Sequence, residues 1–150
     1  MMKTRGFEVI TTFNDKQINI PQRKTRFSAG YDLESAYDTI LVPGEVSVVS
    51  TGLKAYMQND EYLGIHIRSG LSIKNALSLV NGQGIIDADY YNNDDNEGHI
   101  MIAFFNHSNT DINITKGARI AQGIFYKYLL TDYDNQSDKQ ARIGGFGSTI

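Results

Sequence analysis

The chain has no cysteine, which excludes disulfides, thiolate catalysis and zinc–thiolate sites but leaves the redox compartment open. Long apolar runs are missing from its first residues. Met1 to Ile10 is interrupted by Lys3, Arg5 and Glu8, so neither a signal peptide nor a membrane span is expected, and a cytoplasmic location is the default. An excess of basic charge is absent too. With 14 Lys and Arg against 17 Asp and Glu, the formal net charge is −3. No broad nucleic-acid surface and no membrane partner are expected, and any phosphate affinity must come from a small, focused site. His66, His99 and His107 lack metal-ligand spacing, so satisfied or solvent-facing histidines are expected. No serine pairs with a histidine and an acid for nucleophilic catalysis. Asp94, Asp95 and Glu97 read as a solvated acidic loop.

What is present is a pattern of strands. The 150 residues, 41% hydrophobic, suit one domain with a real core. Apolar residues recur at every second position: Val46 and Val48; Leu53, Ala55 and Met57; Leu63, Ile65 and Ile67; Ile100, Ile102 and Phe104; Ile112 and Ile114. Ile120, Ile124 and Tyr126 continue the pattern, with Gln122 as a polar interruption of the same face that needs a hydrogen-bond partner. Turn chemistry at Pro43-Gly44 and Asn59-Asp60 separates strands, so the chain is read as all-β, a barrel or jelly roll. One short helix is expected over Ser72 to Leu77, with Ser69, Gly70 and Ser72 at its start. Lys16 to Ser28 reads as an irregular connector and Leu130 to Ala141 as a polar linker.

Several segments carry chemistry. The glycine-rich tail, Arg142 to Ile150, cannot pack as a core and by itself is a mobile terminus. It also holds what a nucleotide would need: backbone N–H groups, the Ser148 and Thr149 hydroxyls, a guanidinium at Arg142 and a flat ring at Phe146. Arg68-Ser69-Gly70 fits either an ordinary helix start beside a surface arginine or a phosphate cradle. Asn81-Gly82-Gln83-Gly84-Ile85-Ile86-Asp87 reads as a hairpin, either a plain one or one whose backbone slot reads a planar base edge. Asp87, flanked by Ile86 and Ala88, is expected in partly apolar surroundings suited to a general base, and Tyr90 offers a ring for a sugar. Asp32, in Ala29-Gly30-Tyr31-Asp32-Leu33, is either a bland strand start or a cation-linked carboxylate.

Taken in order, Ala29 to Leu33, Arg68 to Leu71, Gly84 to Tyr90, Arg119 to Gln122 and Gly144 to Thr149 resemble the five ordered motifs of the trimeric deoxyuridine triphosphatase (dUTPase) family. The resemblance spans nearly the whole chain. It implies a distorted jelly-roll (β-clip) domain over 1–141 with a flexible lid motif over 142–150, assembled as a homotrimer with sites between subunits. It further implies magnesium-assisted hydrolysis of dUTP to dUMP and pyrophosphate by water attack on the α-phosphorus, which limits uracil in DNA and supplies dUMP for dTMP synthesis. Asp87 is similar to the family's water-activating base and Tyr90 to the tyrosine under the deoxyribose. Asn81, the backbone at Ile85 and Ile86, and Met101 would line the uracil pocket, while Arg68, Ser69, Gly70 and Gln122 would hold phosphates. Arg142, Phe146, Ser148 and Thr149 would close over the nucleotide from another subunit, with magnesium held by the triphosphate and Asp32 reaching it at most through water.

The chain departs from the family pattern at several places: the Asn92 to Gly98 loop is longer than in many relatives, Arg142 sits two residues before Gly144 where the spacing varies, and the usual extra glycine does not follow at Ile150. Ala118 replaces a frequent acidic residue, and Asn92 replaces a frequent glycine at a position where asparagine tolerates left-handed backbone. The sister activity, dCTP deamination, needs a glutamate where Ala103 stands, and Ile100 to Asn106 contains none. A nucleotide-gated regulatory binder, acting on a protein partner through tail closure, is the alternative from another class.

Overall fold

Alternation at short spacing gives short strands, and turns that connect different sheets give a sandwich-like body. The computed structural model describes residues 2–134 and 139–147, so Ser148 and Thr149 lie outside the described residues. In chain order the strands are β1 (Gly6–Val9), β2 (Tyr31–Glu34), β3 (Thr39–Leu41), β4 (Val46–Ser50), β5 (Leu53–Tyr56) and β6 (Glu61–Ile67). After helix α1 (Ser69–Asn75) come β7 (Leu77–Leu79), β8 (Gly84–Asp87), β9 (Met101–Asn106), β10 (Ile112–Ile114) and β11 (Arg119–Lys127). A four-stranded sheet, β2-β11-β6-β8, and a three-stranded sheet, β4-β9-β7, form the body, with the pairs β1-β5 and β3-β10 beside them. All strand pairings are antiparallel.

The inward halves of the alternating strands meet in one core. Leu33, Leu41, Leu53, Leu63, Leu77, Ile100, Phe104 and Ile120 are fully buried, and burial of each such side chain is worth about 1.5–3 kcal/mol. Val46 and Val48 alternate as expected but point outward, 56% and 52% exposed, because Val49 takes the core side of β4. The connector from Lys16 to Ser28 does form no named strand or helix among the described residues.

Three expectations are corrected. The helix runs from Ser69 to Asn75 rather than Ser72 to Leu77: Arg68 is its N-cap, Ala76 ends it at φ 51°, ψ 42°, and Leu77 is buried as the first residue of β7. Second, Gln122 does not interrupt a core face. Arg119 pairs with Glu34 and Ala121 with Leu33, so a bulge at Ile120 switches the alternation. Beyond it Ala121 and Phe125 join the core, and Gln122, Ile124 and Tyr126 share the opposite, half-buried face. Third, Asn81-Gly82 does not close a hairpin. The strands on either side part, β7 to pair with β9 and β8 to pair with β6.

Candidate active site

The parting of β7 and β8 makes a cavity. Gly82 turns the chain at φ 71°, and the Gln83 N–H donates to the Asn81 carbonyl at 2.7 Å, so the backbone leaves one sheet and joins the other within a few residues. Where the sheets separate, a cavity of about 370 Å³ opens. Ile65, Leu79, Met101 and Ile102 give it apolar walls. Asn81 and the Gly84–Ile86 stretch of β8 form its polar side. As the outer strand of its sheet, β8 has, among the described residues, backbone N–H and C=O groups without a strand partner, which suits a flat ligand carrying donors and acceptors along one edge. Ala103 also lines the cavity, and β9 brings no carboxylate into it.

At the end of β8, Asp87 turns outward by strand parity. Its side chain is 54% exposed, which corrects the expectation of partly apolar surroundings. The neighbouring 3-10 turn, Ala88–Tyr90, then carries Tyr90 inward, where it is 4% exposed. The Tyr90 hydroxyl donates to the His99 carbonyl at 2.7 Å and accepts from Asn96 Nδ2 at 2.9 Å. Burial raises its pKa above the ordinary tyrosine value.

The tail closes the mouth of this cavity. Arg142, with a side chain only 9% exposed, places Nη1 3.1 Å from Asp87 Oδ2 and 3.4 Å from Asp89 Oδ1. Its guanidinium lies 5.1 Å from the Tyr90 ring centroid, and Phe146 and Gly147 complete the lining. The tail folds onto the cavity of its own chain.

A second cluster gathers at the far end of β6. Arg68, Ser69 and Gly70 share a cavity of about 210 Å³ with Asp32, Gln122, Lys24 and Ser28. Strand pairing sets Gln122 of β11 between Asp32 of β2 and His66 of β6. Asp32 is cation-linked: its carboxylate lies 3.7 Å from Arg68 Nε and 3.5 Å from Arg119 Nη1. The Arg68 Nη1 also donates to the Arg119 carbonyl at 3.3 Å. Gly30 leaves room for Gln122, since a Cβ there would collide with the Gln122 side chain. Lys24, Ser28 and Arg119 had no expected role. Arg119 lay within a motif, whereas Lys24 and Ser28 lay in an irregular connector whose path only tertiary pairing reveals.

The two clusters are well apart. Tyr62 pairs with Asp87, and Arg68 is six residues further along the same direction. That separation is about 20 Å at a strand rise of about 3.3 Å per residue.

A family model described as dUTPase matches residues 16–150. The chain belongs to the dUTPase family. It is 49% identical to a deoxyuridine 5'-triphosphate nucleotidohydrolase of Lactococcus lactis over 148 residues, covering 99% of each chain. A nucleotidohydrolase of the same name from Nautilia profundicola is 36% identical and matches 87% of this chain and 89% of its own. The crystal structure of a dUTPase from Streptococcus mutans superposes with a TM-score of 0.80 at 43% identity, over 85% of this chain and 98% of that one. A dUTPase of Staphylococcus aureus phage phi11, 21% identical with a TM-score of 0.72, shares the fold. Residues of the first, second and fourth motifs thus meet in the phosphate-type cluster, and residues of the third, with Phe146 and Gly147 of the fifth, line the slot.

The histidines are engaged structurally. His66 Nε2 meets the Tyr126 hydroxyl at 3.0 Å, His107 Nε2 meets Ser78 Oγ at 2.7 Å, and buried His99 accepts the Gly52 N–H at 2.9 Å. The acidic loop is not simply solvated: Glu97 is held by Lys54 at 2.7 Å. Asn92 stands at φ 57°, the left-handed backbone that asparagine tolerates.

Proposed function

We propose that this chain hydrolyses dUTP to dUMP and pyrophosphate. The observation that carries the reading is the slot between β7 and β8, which combines a free strand edge, apolar walls and a carboxylate at its rim. Uracil enters the slot and pairs with Asn81 and the backbone of Ile85 and Ile86, with Met101 against it; its narrow walls leave no space for bulkier bases. The Tyr90 ring lies under the deoxyribose. Asp87 accepts a proton from the water that attacks the α-phosphorus, the P–O bond to the β-phosphate breaks, and pyrophosphate leaves.

Arg68, Ser69, Gly70 and Gln122 hold the phosphates. Because a triphosphate is far shorter than the distance between Asp87 and Arg68 within one chain, each complete site takes its base slot from one copy and its phosphate cluster from another. A homotrimer with three such sites satisfies this. The domain at 1–141 forms the body and 142–150 the lid. When substrate enters, Arg142 exchanges Asp87 and Asp89 for phosphate oxygens, which frees the base. Phe146 then covers the uracil, and Ser148 and Thr149 contribute hydroxyls. Closing the lid excludes water and fixes the geometry of attack.

Members of the dUTPase family are generally magnesium-dependent. The residues here fit a cation carried by the substrate: among the described residues no group of three or more metal-ligating side chains is gathered, and Asp32 already faces two arginines. Magnesium bound to the triphosphate would supply charge neutralisation at the phosphates, and Asp32 would reach it at most through water. The test is incubation of the purified protein with magnesium and, separately, dUTP, dCTP, dTTP and UTP, with products separated by chromatography. dUMP and pyrophosphate from dUTP alone are expected. Deamination of dCTP, or binding of dUTP without product, overturns the reading.

A further inference from the structure

The loop from Asn92 to Gly98 is built more rigidly than a surface excursion requires. On its inner side the buried Lys54 donates from Nζ to Asn92 Oδ1 at 2.6 Å and to Glu97 Oε2 at 2.7 Å. The Glu97 carboxylate also accepts the Thr11 N–H at 3.0 Å. Asn93 is buried, and both ends of its amide are used. Its Nδ2 donates to the Tyr90 carbonyl at 2.7 Å and to Asn96 Oδ1 at 2.8 Å, while its Oδ1 accepts the N–H groups of Asp95 and Asn96 at 3.0 Å each. The position of Asn96 is therefore fixed from behind.

On the outer side this loop meets the tail. A Cβ added to Gly145 would come within 2.8 Å of Asn96 Cγ and Asp95 Oδ2, and 2.9 Å of Asn96 Nδ2. Gly145 is not among the residues with positive φ. Glycine is thus needed at 145 for space and not for backbone conformation. The same Asn96 Nδ2 donates to the Tyr90 hydroxyl at 2.9 Å, so one amide touches the lid on one side and the sugar-facing ring on the other.

We propose that Asn96 is a positioning residue that seats Gly145 of the lid and orients Tyr90, coupling closure of the tail to the geometry of the sugar site. The proposal rests on the dUTP reading above. The seat stands behind the cavity wall and is joined to it through the Asn96–Tyr90 hydrogen bond, so a tail arriving from a neighbouring copy to cover the same cavity meets the same residue. A side chain at 145 lifts the segment off this seat and displaces the flanking Arg142 and Phe146 from the cavity mouth, and displacements of about 1 Å at a site can cost up to about 100-fold in rate.

The experiment compares wild type, Gly145→Ala, Asn96→Ala and the double variant. Steady-state kcat and KM for dUTP, and the preference for dUTP over UTP, are measured for each. Gly145→Ala is expected to lower kcat/KM roughly tenfold, and Asn96→Ala to lower it a few-fold while raising relative use of UTP. With Asn96 removed, adding Gly145→Ala is expected to cost measurably less than in wild type, roughly a few-fold, because two of the three close contacts are gone while Asp95 Oδ2 still stands 2.8 Å from the added Cβ. Gly145→Ala within about twofold of wild type, or an equal penalty in both backgrounds, overturns the proposal. Gly145→Ala lies in the tail and leaves the body's core untouched, so its outcome stands even where Asn96→Ala folds poorly. A wild type that fails to turn over dUTP removes the functional reading instead. The seat is then read without substrate by tryptic cleavage after Arg142, which the seated tail shields: faster cleavage in Gly145→Ala supports the seat, and equal rates overturn it.

Discussion

Asp87 owes its position to the parity of β8, which turns Ile85 and Asp87 outward and leaves the carboxylate where water reaches it. Replacing it by asparagine keeps the size of the side chain but removes the proposed base. Asp87→Asn is expected to retain dUTP binding while kcat falls by roughly 10²–10⁴, the usual scale for a positioned general base; near-normal turnover would take Asp87 out of the mechanism. His99 governs a different property. Burial pushes its pKa below the usual histidine value, with Glu97 opposing weakly, and the ring accepts the Gly52 N–H in its neutral form. The unfolded chain therefore takes up a proton near pH 6.5 that the folded protein resists, so stability is full above about pH 6.5 and falls as the pH drops below it. Urea midpoints at pH 7.5 and 5.5 should differ in wild type and differ less in His99→Gln, which keeps an acceptor but has no proton to gain. An unchanged pH slope in that variant would assign the sensitivity elsewhere. That Asp87 and Tyr90 lie at one cavity was legible from motif order. Their burial was not, because whether a strand end faces solvent depends on which neighbour pairs with it.

At the scale of elements, the sequence pattern located α1 but placed its end too late, since alanine carries no signal for left-handed backbone. Ala76 closes the helix at φ 51°, a conformation in which a Cβ is unfavourable and for which glycine is the usual choice. Ala76→Gly is expected to stabilise the fold by about 0.5–1 kcal/mol, the left-handed penalty relieved minus the added entropy of the unfolded chain. Urea unfolding at a fixed protein concentration checks this, and a destabilised variant would contradict it. The bulge at Ile120 shows why alternation alone misassigned Gln122: one extra residue reverses every face beyond it. The pair β7 and β8 makes the same point for topology. Asn-Gly announces a tight turn, but whether the flanking strands pair or diverge is decided by β6 and β9, which lie far away in sequence. The slot that carries the functional reading comes from that divergence.

For the whole molecule, the spacing of the two clusters along β6 is the deciding geometry. Arg68 follows one end of β6, and Tyr62, opposite Asp87, lies near the other, so a rigid chain cannot bring its own proposed base and its own proposed phosphate cluster onto one triphosphate. Exposed valines on β4 add apolar surface of the kind that assembled chains cover. The proposed homotrimer makes a prediction that no single-chain site allows. Asp87→Asn damages only the base half-site and Arg68→Ala only the phosphate half-site, so each homotrimer is impaired throughout. When the two variants are unfolded together and refolded as mixed trimers, some sites combine the intact Asp87 of one chain with the intact Arg68 of another. Random assembly restores about a quarter of the wild-type sites. Activity near that level, with light scattering at close to three times the 16.8 kDa chain mass, is expected. Mixtures no more active than the two parents would mean that each chain completes its own site, and the lid contact of Arg142 with Asp87 in the single chain would then be the closed state itself.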